Sequence, residues 1–122
     1  MKLTIRADGF EGWSERSRVR AERLARKEFV EPEMTINFDS PLEMVQCLTA
    51  QRVRLFQTAQ KRPHSVSELA VALKRDTKSV RRDVQRIERA GVLRTREAIN
   101  PGHGRVKIVE PVAKSFELRA RF

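Results

Sequence analysis

The chain has 122 residues, a formal net charge of +10, 39% apolar residues and one cysteine. That length fits a single domain with short extensions, since domains run to about 100–200 residues. No apolar run approaches the roughly 20 residues of a membrane span, no signal-peptide core opens the chain and a lone cysteine excludes an intramolecular disulfide, so the cytoplasm is the expected compartment. The cationic surplus calls for an anionic partner: nucleic acid, an acidic membrane surface or an acidic protein.

In chain order, Lys2–Arg6 reads as a short strand and Glu15–Phe29 as a highly charged helix, with Ser14 as its N-cap and Pro32 beyond its end. Val19, Leu24 and the flanking alanines give that helix only a thin apolar face, so it is expected to need another surface, such as a second subunit. Phe10 and Trp13 are read as anchors of such a contact rather than as base-stacking groups. Met34–Phe38 alternates apolar and polar residues as a half-buried strand does. Ser40-Pro41-Leu42-Glu43 then combines an N-cap Ser, Pro at the first helical position and Glu at the third. Cys47 lies in the helical pattern Leu42, Val45, Leu48 and is expected to be a buried thiol. The helix breaks near Leu48-Thr49. Thr49 caps a second helix to about Gln60, whose core side is Val53, Leu55 and Phe56, and Arg62-Pro63 closes it.

Ser65-Val66-Ser67-Glu68 is another capping box, and Leu69, Ala70 and Leu73 supply the buried stripe of a short helix. Lys74-Arg75 makes a turn. Asp76 caps a longer helix to about Ala90, and Gly91 stops it. Two helices joined by so short a turn predict a helix-turn-helix unit. At 100° per residue, Val80, Val84 and Ile87 fall on one narrow face, while Lys78, Arg82, Gln85, Arg86 and Arg89 gather opposite. Arg can bridge guanine O6 and N7, and Gln can pair with adenine, both in the major groove. The N-terminal half of such a helix enters deepest, so Thr77, Lys78, Ser79, Arg81, Arg82 and Gln85 lead the candidate DNA contacts, with Arg86 and Arg89 behind them. The competing reading is a solvated face whose field Asp83 and Glu88 reduce by pairing with neighbouring arginines.

Val92–Arg96 begins a strand and Arg105–Val109 returns as another, around the turn residues Asn100-Pro101-Gly102-His103-Gly104. A hairpin directly after the second helix is a wing, and His103, Arg105 and Lys107 on it are candidate contacts to phosphates or a minor groove. The runs Ser67-Glu68-Leu69-Ala70, Ser79-Val80-Arg81-Arg82-Asp83-Val84 and Ile87-Glu88-Arg89-Ala90-Gly91-Val92-Leu93 resemble the winged helix-turn-helix transcriptional regulators. More narrowly, they resemble a short MarR-like group of bacterial and archaeal regulators. The resemblance covers residues 35–122 and implies homodimers on palindromic or repeated double-stranded DNA sites, acting usually as repressors. Some members resemble the antitoxin half of a toxin–antitoxin pair, which makes a cognate toxin the alternative partner.

Ser115–Phe122 alternates like a strand and needs a sheet partner, for which Lys2–Arg6 is the candidate, within the chain or across a dimer. The expected organisation is therefore a strand and charged helix over 1–33, a winged helix-turn-helix domain over 34–112 and a C-terminal strand over 113–122. The fold class is α+β, mainly α, with the two ends building a dimer interface. The sequence argues against an enzyme. His64 and His103 lie far apart on expected loops, with no cysteine or carboxylate cluster at metal spacing, and no glycine-rich phosphate loop or Ser, His and acid set stands out. Neither a cofactor nor a metal is expected. A single-stranded RNA reader would need exposed aromatics, of which a chain with 6% aromatics and no Tyr has few. A membrane-surface role lacks a large apolar helix face to insert.

Overall fold

A computed structural model describes residues 2–102 and 104–121. The chain divides into two compact units, Met1–Gln46 with Ser115–Phe122, and Cys47–Lys114. This differs from the expected division at residues 33 and 112. The strand at Met34 belongs with the N-terminal segment because it hydrogen-bonds to the first strand of the chain.

The first unit holds a parallel three-stranded sheet. Strand β1 (Lys2–Arg6) lies centrally, between β2 (Met34–Asn37) and β6 (Ser115–Arg119). Parallel neighbours require a crossover, and helix α1 (Gly9–Ala25) supplies the one from β1 to β2. Register places Leu3, Ile5, Met34, Ile36, Phe116 and Leu118 on one face of the sheet. Thr4, Thr35, Asn37 and Glu117 lie on the other, where Arg16 of α1 bonds the side chains of Asp8 and Asn37. Helix α1 buries none of its residues.

Helix α1 begins six residues before the expected Glu15 and ends at Ala25 rather than Phe29. Two glycines in the run Gly9-Phe10-Glu11-Gly12 argue against helix by propensity, but here both serve the entry. Gly9 turns the chain at φ +64, and a side chain at Gly12 would collide with the Asp8 carboxyl. At the other end Lys27 takes the left-handed conformation, with φ 60, and Glu28 N–H bonds the Arg23 carbonyl 3.0 Å away. This is a Schellman-type stop in which the usual glycine is replaced by lysine.

Helix α2 (Pro41–Cys47) starts as its capping residues predict, with Glu43 N–H bonded to Ser40 Oγ at 3.2 Å. Cys47 is buried with Met44, whereas Leu42 and Val45 are exposed, so the buried side of the helix is not the stripe read from the sequence.

The second unit is a winged helix-turn-helix. Helix α3 (Ala50–Lys61) is capped by Thr49 and buries Leu55 and Ala59, while Val53 and Phe56 are half-buried. Strand β3 (His64–Ser65) leads into α4 (Val66–Leu73) through a complete capping box between Ser65 and Glu68. Lys74, at φ 54, makes the turn to α5 (Thr77–Ala90), and Gly91, at φ 89, ends that helix. Strands β4 (Leu93–Asn100) and β5 (Gly104–Pro111) form the wing, longer at its tip than expected, and β3 pairs with β5. Leu55, Leu69, Val80, Ile87, Val92, Leu93 and Val109 are essentially inaccessible and make the core.

His64 corrects one expectation. It is not an exposed loop residue but is 5% exposed, in β3 opposite Val109, with Nδ1 2.6 Å from the Arg62 carbonyl oxygen. Two residues are too few to show strand periodicity, and Pro63 beside them reads as a loop.

One polar cluster lies inside this unit. Asp83 on α5 is 8% exposed and accepts from Arg52 Nε on α3 at 3.0 Å and from Arg75 Nη2 in the turn at 2.7 Å. Arg52 also donates through Nη1 to the Cys47 carbonyl at 3.0 Å. Removing one partner of a buried ion pair leaves the other charge desolvated and uncompensated. Asp83→Asn is therefore expected to destabilise this unit by about 3 kcal/mol, the lower end of the usual range because both guanidiniums keep some solvent contact. Urea unfolding followed by circular dichroism measures the loss, and a change within about 0.5 kcal/mol, typical of a surface substitution, would contradict it.

Candidate nucleic-acid interface

Helix α5 carries most of the candidate residues, and its entry is fixed by Asp76. The Asp76 carboxylate accepts from Ser79 N–H at 2.9 Å and from the Ser79 hydroxyl at 2.7 Å. These bonds, the Ser79 hydroxyl first, hold the Asp76 carboxyl below the usual carboxylate range. From this start Val80, Asp83, Val84 and Ile87 turn inward. The opposite side carries Lys78, Arg82, Gln85 and Arg89, all exposed, with Arg81 exposed beside them and Arg86 half-buried. Thr77 and Ser79 are half-buried at the first turn. The Ser79 hydroxyl is occupied by Asp76, so Ser79 serves the cap rather than offering a free donor.

The wing meets this helix along a groove of about 290 Å³ lined by Val66, Arg81, Val84, Gln85, Glu88, Thr95 and Lys107. Lys107 thus stands on the same side as Arg81 and Gln85. Arg105 is exposed but shares its charge with Glu97 across the hairpin, at 3.1 Å. Arg94 and Arg96 lie on the other face of the wing, and both reach Glu110. His103 lies outside the described residues.

How the arginines are paired separates the helices. On α1, Arg16 pairs with Asp8, Arg18 with Glu15 and Glu22, and Arg23 with Glu28, which also takes Arg26 just past the helix end. On α5, Lys78, Arg81, Arg82, Arg86 and Arg89 make no ion pair with another described residue. Asp83, which only the competing reading of the sequence made a quencher of that field, faces inward and neutralises Arg52 and Arg75. Sequence reasoning missed Arg52, Arg75 and Thr95. The signal for the first two was an acid beside the apolar stripe of α5, where only a paired charge can be buried.

A family model, HVO_A0114, matches residues 47–112, more than half of the chain. No curated protein matches. Among solved structures, a possible transcriptional regulator from Methanosarcina mazei Go1 superposes with a TM-score of 0.51 at 21% identity, over 58% of this chain and 63% of its own. Rv0081 of M. tuberculosis superposes with a TM-score of 0.51 at 23% identity, over 62% and 77%. The chain thus spans less than two thirds of the Methanosarcina protein, and at such identities the likeness is one of fold.

Because Asp76 is more acidic in the folded chain than in the unfolded one, the unfolded chain takes up the proton first as pH falls. The cap's contribution is complete above about pH 4, the unfolded value, and is lost progressively below it. Thermal unfolding between pH 6 and pH 3 is expected to show a smaller acid-induced fall in midpoint for Asp76→Ala, with a lower midpoint than wild type at pH 7. Parallel curves for the two proteins would remove Asp76 as the titrating cap.

Proposed function

This chain belongs to the HVO_A0114 family, and we propose that it is a sequence-specific double-stranded DNA-binding regulator. Helix α5 enters the major groove, and the wing, through Lys107 and Arg105, rests on the backbone or minor groove. The observation that carries this reading is the uncompensated cationic face of α5, held outward by a buried apolar and ionic side and set beside Lys107. The described structural relative from Methanosarcina, a possible transcriptional regulator, is consistent with the same role.

The protein acts as a homodimer on two half-sites and as a repressor, since occupying a promoter is by itself enough to block transcription. The narrower MarR likeness rests on the sequence runs of α4, α5 and the start of the wing. Function is binding rather than catalysis, with double-stranded DNA as partner, in the cytoplasm beside the chromosome. No helix of the described residues is long and apolar enough to cross a membrane.

An antitoxin role is the second reading. It is favoured by the apolar residues that α1 leaves exposed, with Phe10 73%, Trp13 47% and Leu24 59% accessible. Recovery of a stoichiometric protein partner that Phe10→Ser releases supports it, and a wild-type protein purified alone from its host counts against it.

Titration of fluorescent duplex from upstream of the protein's own gene, against random duplex, tests the DNA reading. Arg82→Ala is expected to cost about 1–3 kcal/mol on the specific site and to relax discrimination there. Lys107→Ala should weaken all sequences alike and lower the salt slope by about 1. Equal losses from both changes on specific and random duplex would show that α5 does not read bases.

A further inference from the structure

The parallel sheet of the first unit runs β2–β1–β6, which leaves β6 at an edge. Among the described residues no backbone hydrogen bond reaches its outer side. An open edge presents unpaired donors and acceptors that template another strand. Leu118, the fourth of the five residues on that edge, is 52% exposed.

The sequence of β6 selects the strand it can accept. Under two-fold symmetry a strand meets its own copy antiparallel, and if one residue opposes a second, the second opposes the first. Directly opposed residues share a face of the sheet, and like charges opposed there are destabilising. A pairing centred on Glu117 sets two carboxylates against each other. One centred on Phe116 leaves Glu117 opposite Ser115. A pairing centred on Leu118 places Glu117 opposite the partner's Arg119 twice over, Leu118 opposite its own copy and Phe116 opposite the partner's Ala120. Both ion pairs then fall on the polar face and all the apolar residues on the other.

We infer that β6 pairs antiparallel with β6 of a second copy of this chain, centred on Leu118, joining the two sheets into one of six strands. This deepens the homodimer reading above and rests on it. The Glu117 carboxylate also bonds Lys2 Nζ at 2.9 Å and Arg119 Nε at 2.6 Å within its own chain, so the new pairs extend a network already in place.

The geometry permits a direct test. Opposed residues in such a pair have Cβ atoms about 4.5–5.5 Å apart, which brings their Cα atoms within disulfide range. Position 118 is accessible to an oxidant, whereas the native Cys47 is fully buried. With diamide, which accepts the two electrons and two protons released as two thiols form one disulfide, Leu118→Cys is expected to become a covalent dimer. Ile99→Cys, on the wing and more exposed still, is expected to remain uncross-linked. A dimeric wild type, by light scattering, in which Leu118→Cys cross-links no better than Ile99→Cys overturns the β6 interface but not the homodimer. A monomeric wild type overturns both, while duplex titration still decides DNA binding. Cross-linking of Leu118→Cys to a different protein also overturns the proposal, because another strand then occupies the edge.

A second measurement isolates the charges. Glu117→Arg and Arg119→Glu are each expected to shift the protein to monomer, and an equimolar mixture of the two to recover a heterodimer. The mixture repairs only contacts between chains, so failure to recover it from folded single variants also counts against the pairing.

Discussion

A single buried carboxylate sets the orientation on which the winged unit depends. Apolar contacts of Val80, Val84 and Ile87 decide which side of α5 faces the core, but they are non-directional and tolerate small rotations and slides. The bonds from Asp83 to Arg52 and Arg75 are directional, and they join α5 to α3 and to the turn before it. Burial makes an unpaired charge costly, so the helix is held where both guanidiniums reach the carboxylate. The rotation that satisfies Asp83 also points Lys78, Arg82, Gln85 and Arg89 outward.

The same carboxylate explains how a chain of net charge +10 keeps its excess where it is useful. Glu15 and Glu22 on α1, and Glu97 and Glu110 on the wing, are spent on neighbouring arginines. On α5 the one buried acid faces inward and neutralises cations from other elements. The outer face is left with a one-sided field, the property that a polyanion senses at a distance. Exposed pairs such as Arg18 with Glu15 contribute little to stability; their consequence is that α1, though as arginine-rich as α5, presents nearly balanced charge.

The legible parts of the fold were those with a local cause. Capping residues placed the starts of α4 and α5, Gly91 placed a stop, and the 100° periodicity alone separated the two sides of α5. What escaped were features whose cause is distant in sequence. The entry of α1 depends on the fit of Gly12 against Asp8, its exit uses a left-handed lysine, and His64 is buried because β5 returns beside it. The outward cations could be read from one helix alone. That they lack carboxylate partners could not, because only the approach of Arg52 and Arg75 in the fold turns Asp83 inward.

The first unit poses a different physical problem. A three-stranded sheet with a helix that buries none of its residues offers little apolar burial of its own, and two of its strands are edges. Small β assemblies gain stability mainly by adding strands or by covering a face, and an exposed edge invites such addition whether or not it is useful. A self-complementary edge restricts that addition to one partner in one register. For a winged unit the restriction has a functional consequence. On the proposed DNA reading, two such units in one molecule neutralise more phosphates than one, which steepens the salt dependence and multiplies the discrimination between sites. Specific association of the sheets would therefore supply the valency that a single copy of α5 lacks.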